Sequence, residues 1–397
     1  MKNTKLILIA LSLIVILLFI LIVGPTSQSK LLENTEAVSV ESESPNSLTE
    51  LSEGQASKIS QVQNNEAKES TQETQTKGAE ENQKPIQLKF NLKYDKYLVE
   101  APYTYTINGE ARHFQFEEML KHIQVADQAS SQHQLTYIDN YKNRNGYAPY
   151  YKGGSVDNSG TSRSASAPAY PNLNDLKEFI YLQDGTLVSV LEEDGDYTLV
   201  SPVGTNLEYS VPRQYVRTDD CLTGLKKVIV VDRTNQNIAT FEKEREYTSG
   251  GNKQSDDMLL QAEGNGIKAG WNDVWYITSY SMATTGKVGD YHQPTPLGYY
   301  YAIERRERFY YLKDGTNTID GYAPYAVRFT AGAYTHGIST AYKYSSTGQR
   351  IDPGINEFSS TIGTIPLSHK CVRNYTSHAK FIYNWYEHGK TIVIVIE

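Results

Sequence analysis

Sixty consecutive residues, Thr26 to Pro85, contain no Phe, Trp or Tyr and are rich in Ser, Glu, Gln, Thr and Asn. A segment of that composition cannot bury enough apolar surface to offset the entropy lost on ordering. It is therefore expected to be a disordered polar linker over residues 26–85. As a flexible coil its ends lie roughly 40 Å apart and can separate much further. A folded core has to be built after it.

Before the linker, Leu6–Val23 is apolar apart from Ser12 and carries no charge. A helix of that length rises about 27 Å, close to the hydrocarbon thickness of a bilayer. Lys2 and Lys5 precede it, which predicts a cytoplasmic amino terminus and a transmembrane anchor within residues 1–25. A cleaved signal peptide is the rival reading. Its apolar region is usually shorter, and Gly24-Pro25 stand where small residues would mark cleavage. Either reading exports the rest of the chain, and the anchored one places it at the cell membrane with its folded part facing the cell wall.

The formal net charge is −8, and eleven Glu against five Lys put −6 of it in the linker. The remainder is mildly acidic and offers no basic field for nucleic acid, so that partner class is excluded. Cys221 and Cys371 are the two cysteines. Export would permit them to pair, and their spacing does not decide whether they do.

Residues 86–170 read as an accessory region and linker. A helical pattern, "FEEMLKHIQVAD", is followed by a stretch rich in Tyr, Asn, Gly and Ser. Over 171–220, "EFIYL", "TLVSVLEE", "DYTLVSP" and "EYSVPRQYVR" are short strand-like runs separated by "QDG", "EDG" and "VGTN" turns. The spacing suggests a small barrel and resembles bacterial SH3-like domains, although no clear opening strand is visible. From 221 onward strands dominate, through "KVIVVDRTNQNIATFEK" to the closing "TIVIVI". One helix is expected at "HAKFIYNWYEH", with Thr376 or Ser377 as N-cap and Gly389 as its stop.

Cys371 sits in "IPLSHKCVRN" among His369, Lys370 and Arg373. Nucleophilic thiol chemistry needs a base within reach and donors for an oxyanion. His336 and His369 are candidate bases, backbone amides near Cys371 are candidate oxyanion donors, and Arg373 suits a carboxylate. The neighbouring cations predict an activated thiolate. A zinc site of His336, His369 and Cys371 is the competing use of the same residues.

Three ordered segments bear on this choice: "ATTGKVGDYHQPTPLGYYYAI", "YAVRFTAGAYTHG" and "SHKCVRN". With the hairpin around Gln236, they resemble the signature segments of L,D-transpeptidases, the YkuD-type catalytic domain, over roughly Leu225–Glu397. The resemblance implies a mainly β fold, a YkuD-like β-sandwich over 221–397 with one C-terminal helix. It implies Cys371 as nucleophile, His336 as base and the Gly337 carbonyl holding the imidazole tautomer. Ser368, His369, Lys370 and Arg373 would line the substrate and oxyanion site, with no metal and no cofactor. It further implies peptidoglycan stem peptides as substrates, a thioester on Cys371, 3→3 cross-links and susceptibility to carbapenems. An L,D-carboxypeptidase using the same site, a sortase and a non-catalytic wall-binding protein are the alternatives. In a sortase the Arg lies on another strand, well downstream of the Cys.

Two departures stand out. Glycine is usual in the family where Lys370 stands. His336 and Cys371 are thirty-five positions apart, about twice the usual interval. The excess lies in Ile338–Gly363, whose Gly, Ser and Thr content suggests either a mobile flap over the cleft or an inert surface excursion.

Overall fold

The computed structural model describes residues 87–248 and 270–397. The expected anchor (1–25) and linker (26–85) lie outside the described residues. Among the described residues no helix is long and apolar enough to cross a membrane.

The closing run "TIVIVI" forms the strand Thr391–Ile396 and pairs in parallel with Lys227–Asp232. Between their polar ends Lys227, Asp232 and Thr391 both strands are apolar because both of their faces are covered. Val228, Val230, Ile392 and Ile394 meet Phe116, Met119, Leu120 and Ile123 of the helix Phe116–Gln132. Their neighbours Ile229, Val231, Val393 and Val395 turn to the other side. There they pack with Val327, Phe329, Val372 and the helix residues Ile382 and Trp385. The two-residue period of a strand thus feeds two cores at once.

These strands belong to a ten-stranded sheet. Its order is Gly298–Tyr301, Thr391–Ile396, Lys227–Asp232, Asn237–Thr248, Gly270–Thr284, Val372–Asn374, Ala333–His336, Ile319–Thr330 and Glu304–Leu312. Thr340–Ala341 adds to Ile319–Thr330. The long strand Gly270–Thr284 serves both halves: most of it pairs with Asn237–Thr248, while Ala283 and Thr284 pair with Asn374 and Arg373. The sheet curls there, and its halves share the second core. The mainly β class follows from one continuous curled sheet.

The C-terminal helix spans Thr376–Trp385, but its N-cap is Tyr375, without a side-chain cap bond. Thr376 and Ser377 are occupied otherwise. Thr376 Oγ1 accepts from the Ile338 amide at 2.9 Å and donates to the Asn356 carbonyl at 2.5 Å. The Ser377 amide donates to Glu357 Oε2 at 2.9 Å. A carboxylate from Ile338–Gly363 therefore fills the helix end, where negative charge is favoured.

The small β module expected over 171–220 reaches further back along the chain. Leu187–Asp194 takes Gln134–Tyr137 as its neighbour, and Ile180–Gln183 pairs with Ser166–Ala169. Ile138, Ala167, Leu182, Val188, Val200, Val211 and Tyr215 share one core. The opening strand that 171–220 lacks is supplied from the region read as accessory, so that span is not self-contained.

This module is pressed against the ten-stranded sheet at Asp184 and Gly185. A Cβ on Gly185 would lie 1.9 Å from the Phe329 carbonyl oxygen, so only glycine fits this approach. The Asp184 carboxylate is fully buried and pairs with the equally buried Arg328, Oδ2 to Nη1, at 2.8 Å.

Candidate active site

The parallel strands Ala333–His336 and Val372–Asn374 set Thr335 opposite Val372 and His336 opposite Arg373. Cys371 immediately precedes the second strand. It is 8% exposed at the floor of a cleft of roughly 1410 Å³, and His336 is 3% exposed and lines the same cleft. Cys371 Sγ lies 3.6 Å from the Gly332 carbonyl. His336 Nδ1 is 2.6 Å from the Gly337 carbonyl. A carbonyl oxygen only accepts, so Nδ1 carries the proton and Nε2 keeps its lone pair. Gly337 is thus placed to fix the imidazole tautomer.

Three earlier segments hold the loop that carries Cys371. Gln236 accepts from the Thr285 amide at 2.9 Å and donates to the Thr285 hydroxyl at 2.7 Å. The Thr285 carbonyl then accepts from the amides of Leu367 and Ser368. The Thr295 hydroxyl accepts from the Gly286 amide and donates to the Lys370 carbonyl, both at 2.9 Å. Gly286 is itself required, because a Cβ there would stand 2.9 Å from the Lys370 Cα and 2.3 Å from the Gln293 carbonyl. Ser368 is buried, and its hydroxyl donates to the Cys371 carbonyl. Thr295 and the hairpin around Gln236 therefore fix the backbone of the segment that carries Cys371.

The electrostatics correct one expectation. Burial pushes the Cys371 thiol up to about 11, outweighing the backbone at Tyr334 and the charges of Arg373 and Lys370, which pull it down. Burial likewise pushes His336 down to about 4, against the lift from the Gly337 carbonyl. The resting cleft holds a neutral thiol and a neutral imidazole. The cations moderate a desolvation penalty that they do not overcome.

Lys370 lines the cleft and has no ion-pair partner among the described residues. Burial lowers its ammonium to about 8, opposed by Cys371 and Asp184. It does not adopt the left-handed conformation, so the usual family glycine is not needed here for a positive φ. Arg373 also lines the cleft without an ion-pair partner among the described residues, and its buried Nε has no hydrogen bond. His369 stands apart at the rim. Its Nε2 is 2.9 Å from Asp314 Oδ1, and its ring stacks on His292 at 3.9 Å.

The zinc arrangement is not assembled. Among the described residues no group of three or more His, Cys, Asp or Glu side chains is placed to hold a metal ion. Cys221 and Cys371 are both free. Of Ile338–Gly363, only Ser339 lines the cleft. Thr340–Ala341 instead joins the sheet edge, Lys343–Tyr344 pairs with Arg350–Ile351, and Asn356 and Glu357 engage the helix.

Several residues at the cleft were not singled out from the sequence. Tyr141, Ser159–Ser162, Ser164, Ala165 and Tyr181–Gln183 of the small β module form one wall. Asp184 lies in a "QDG" motif that reads only as a turn, and nothing local reveals that its carboxylate is buried.

Residues 226–395 match the family model of YkuD, the L,D-transpeptidase catalytic domain. No curated protein matches the chain. Among solved structures it is similar to a fused Zn-dependent amidase/peptidase/peptidoglycan-binding domain-containing protein from Clostridium acetobutylicum, at 15% identity and TM-score 0.24. That match covers 43% of this chain and 52% of the other, so the chain spans about half the length of the Clostridium protein. L,D-transpeptidase 3 from Mycobacterium tuberculosis, in complex with a faropenem-derived adduct, is 15% identical. There the coverage is 59% and 92%, with TM-score 0.26. A cysteine-to-serine mutant of Enterococcus faecium L,D-transpeptidase is 12% identical, with coverage of 74% and 87% and TM-score 0.28. Residues 226–395 belong to the YkuD family of L,D-transpeptidase catalytic domains.

Proposed function

We infer that the chain is a peptidoglycan L,D-transpeptidase with Cys371 as nucleophile and His336 as general base. The observation that carries this reading is the proton on His336 Nδ1, held by the Gly337 carbonyl, which leaves Nε2 free to accept a proton in the cleft shared with Cys371. His336 takes the thiol proton as Sγ adds to the carbonyl of the third stem residue. The tetrahedral adduct expels the terminal D-Ala, whose nitrogen takes the proton back from His336, and a thioester remains. An amine of a neighbouring stem then attacks the thioester, giving a 3→3 cross-link and restoring the thiol. The amides of Lys370 and Cys371 would face the oxyanion, and Arg373, without a carboxylate partner, is suited to a substrate carboxylate. Because both partners rest neutral, proton transfer belongs to the acylation step and not to a standing ion pair.

Export and anchoring through Leu6–Val23, with 26–85 as tether, would hold this site near the wall. Barrel character of the small β module, as in SH3-like domains, belongs to the same reading. Carbapenems, whose strained ring is open to thiol attack, are expected inhibitors. Mass spectrometry of the products from a defined disaccharide tetrapeptide tests the reaction. A dimer lacking one D-Ala supports the transpeptidase, a tripeptide without dimer supports the L,D-carboxypeptidase, and unchanged substrate overturns both.

A further inference from the structure

The fully buried Asp184 carboxylate has four partners drawn from two sides of the cleft. Oδ1 accepts from the amides of Asn140 at 2.9 Å and Tyr141 at 3.0 Å. Oδ2 accepts from the Ala331 amide at 2.9 Å and Arg328 Nη1 at 2.8 Å. One side chain therefore fixes both the Tyr141 backbone and the turn that leads to Gly332. Tyr141 is also followed by two non-glycine residues at positive φ, Lys142 at 58° and Asn143 at 56°. Such conformations are strained and persist only where the surroundings impose them. Asn140 is part of that imposition, donating to the carbonyls of Ser166 at 2.8 Å and Gly146 at 3.1 Å.

The held side chain reaches the nucleophile's pocket. Tyr141 packs against the cluster of Phe309, Ala323, Ala326, Tyr334 and Cys371. Its hydroxyl would lie 3.3 Å from a Cβ placed on Gly332, the residue whose carbonyl faces Cys371 Sγ. The Arg328 guanidinium sits 5.4 Å from its ring centroid. Among the described residues the Tyr141 hydroxyl has no hydrogen-bond partner, and the residue lines the cleft. Burial raises the phenol above its ordinary value, so it stays protonated and able to donate.

We propose that Tyr141, delivered by the small β module, contacts the substrate and donates a hydrogen bond to the carbonyl oxygen of the acyl group that Cys371 takes up. As the S–C bond forms, the carbonyl π pair moves onto oxygen and that hydrogen bond strengthens. Tyr141 keeps its proton throughout. When the adduct collapses and the C–N bond breaks, the leaving amine is protonated by His336. The proposal rests on the acyl-transfer reading above, and it makes the catalytic sheet incomplete without the module in front of it.

Tyr141→Phe in the full chain keeps the ring and its packing and removes only the hydroxyl. The expected result is a fall in kcat for tetrapeptide acylation of about 10- to 100-fold. KM should stay within about twofold, with unchanged Tm, because the donor acts mainly on the transition state. Acylation by a carbapenem should slow in parallel. Alkylation of Cys371 by iodoacetamide, which develops no oxyanion, should keep its rate. A kcat within about threefold of wild type overturns the proposal, as does an alkylation rate that falls with kcat. A wild-type chain inert to tetrapeptide overturns the acyl-transfer reading, and this role with it.

Discussion

His336 and Cys371 reach one cleft from adjacent parallel strands, His336 opposite Arg373 and Cys371 just before that strand's first residue, Val372. Thirty-five sequence positions separate them, yet the intervening segment leaves through the sheet edge and returns by the helix. The pair is therefore as close in topology as neighbouring strands allow. If the two act as base and nucleophile, His336→Ala should lower kcat by at least roughly 100-fold. Cys371→Ala should abolish turnover. His369→Ala, at the rim beside Asp314, and Cys221→Ala should keep most of it. Kinetics on a tetrapeptide would decide, and a larger loss in His369→Ala than in His336→Ala would exchange their roles.

The raised thiol makes a pH prediction. Alkylation of Cys371 should keep accelerating above pH 9, because its thiolate accumulates only toward about 11. Lys370 lowers that value while it is charged, and burial brings its own value to about 8. Lys370→Gln should therefore slow alkylation below about pH 8 and leave it unchanged well above, where the wild-type amine is already neutral. A rate plateau near neutrality in the wild type would show a standing thiolate.

Acid should destabilise the fold through two buried imidazoles. Burial lowers His378 to about 3 and His336 to about 4, from 6.5. In the unfolded chain both protonate near 6.5. Below that pH the unfolded state binds protons that the folded state refuses, so stability complete above 6.5 is lost progressively toward pH 4. Melting curves from pH 7.5 to 4.5 should show a falling Tm, and His378→Asn should flatten the fall. A Tm constant over that range in the wild type would contradict it.

Ile338–Gly363 should matter more for stability than for substrate choice. Glu357 accepts from the Ser377 amide and also meets Lys96 Nζ at 2.9 Å. Glu357→Ala removes the group at the helix end and should cost about 0.5–2 kcal/mol in a denaturant titration. The ratio of kcat/KM values among stem peptides should not change, since only Ser339 of this segment reaches the cleft. Altered discrimination would restore a flap role.

The parts legible in the sequence were those whose pattern is local. Lys227–Asp232 and Thr391–Ile396 declare themselves as strands, since each residue's burial follows from the run itself. The helix Thr376–Trp385 was visible, but its N-terminal partner was not, because Glu357 comes from a segment that reads as a loop. Phe116, Met119, Leu120 and Ile123 stand at the i, i+3, i+4, i+7 spacing of a helix. Asn108-Gly109, both at positive φ between the paired strands Thr104–Ile107 and Glu110–His113, is an equally local hairpin signal. The site motifs were clear as an ordered set, while the environment of Cys371 was misjudged. Adjacent cations are visible in sequence, whereas the burial that outweighs them is made by Phe309, Tyr334 and Tyr141 from three distant segments.

The contact between Gly185 and Phe329 has a consequence for anyone building chimeras of this protein. Because even a Cβ on Gly185 would stand only 1.9 Å from the Phe329 carbonyl oxygen, the two parts meet without a seam along which they could be parted and rejoined with a foreign neighbour. A transplanted module would have to bring the same bare backbone to the same carbonyl, or stand off and leave Arg328 with Glu304 as its one carboxylate partner among the described residues. The exchangeable unit has to keep the module, the sheet and the helix Phe116–Gln132 together, and recombination within it should yield chains that fail before their chemistry can be asked about.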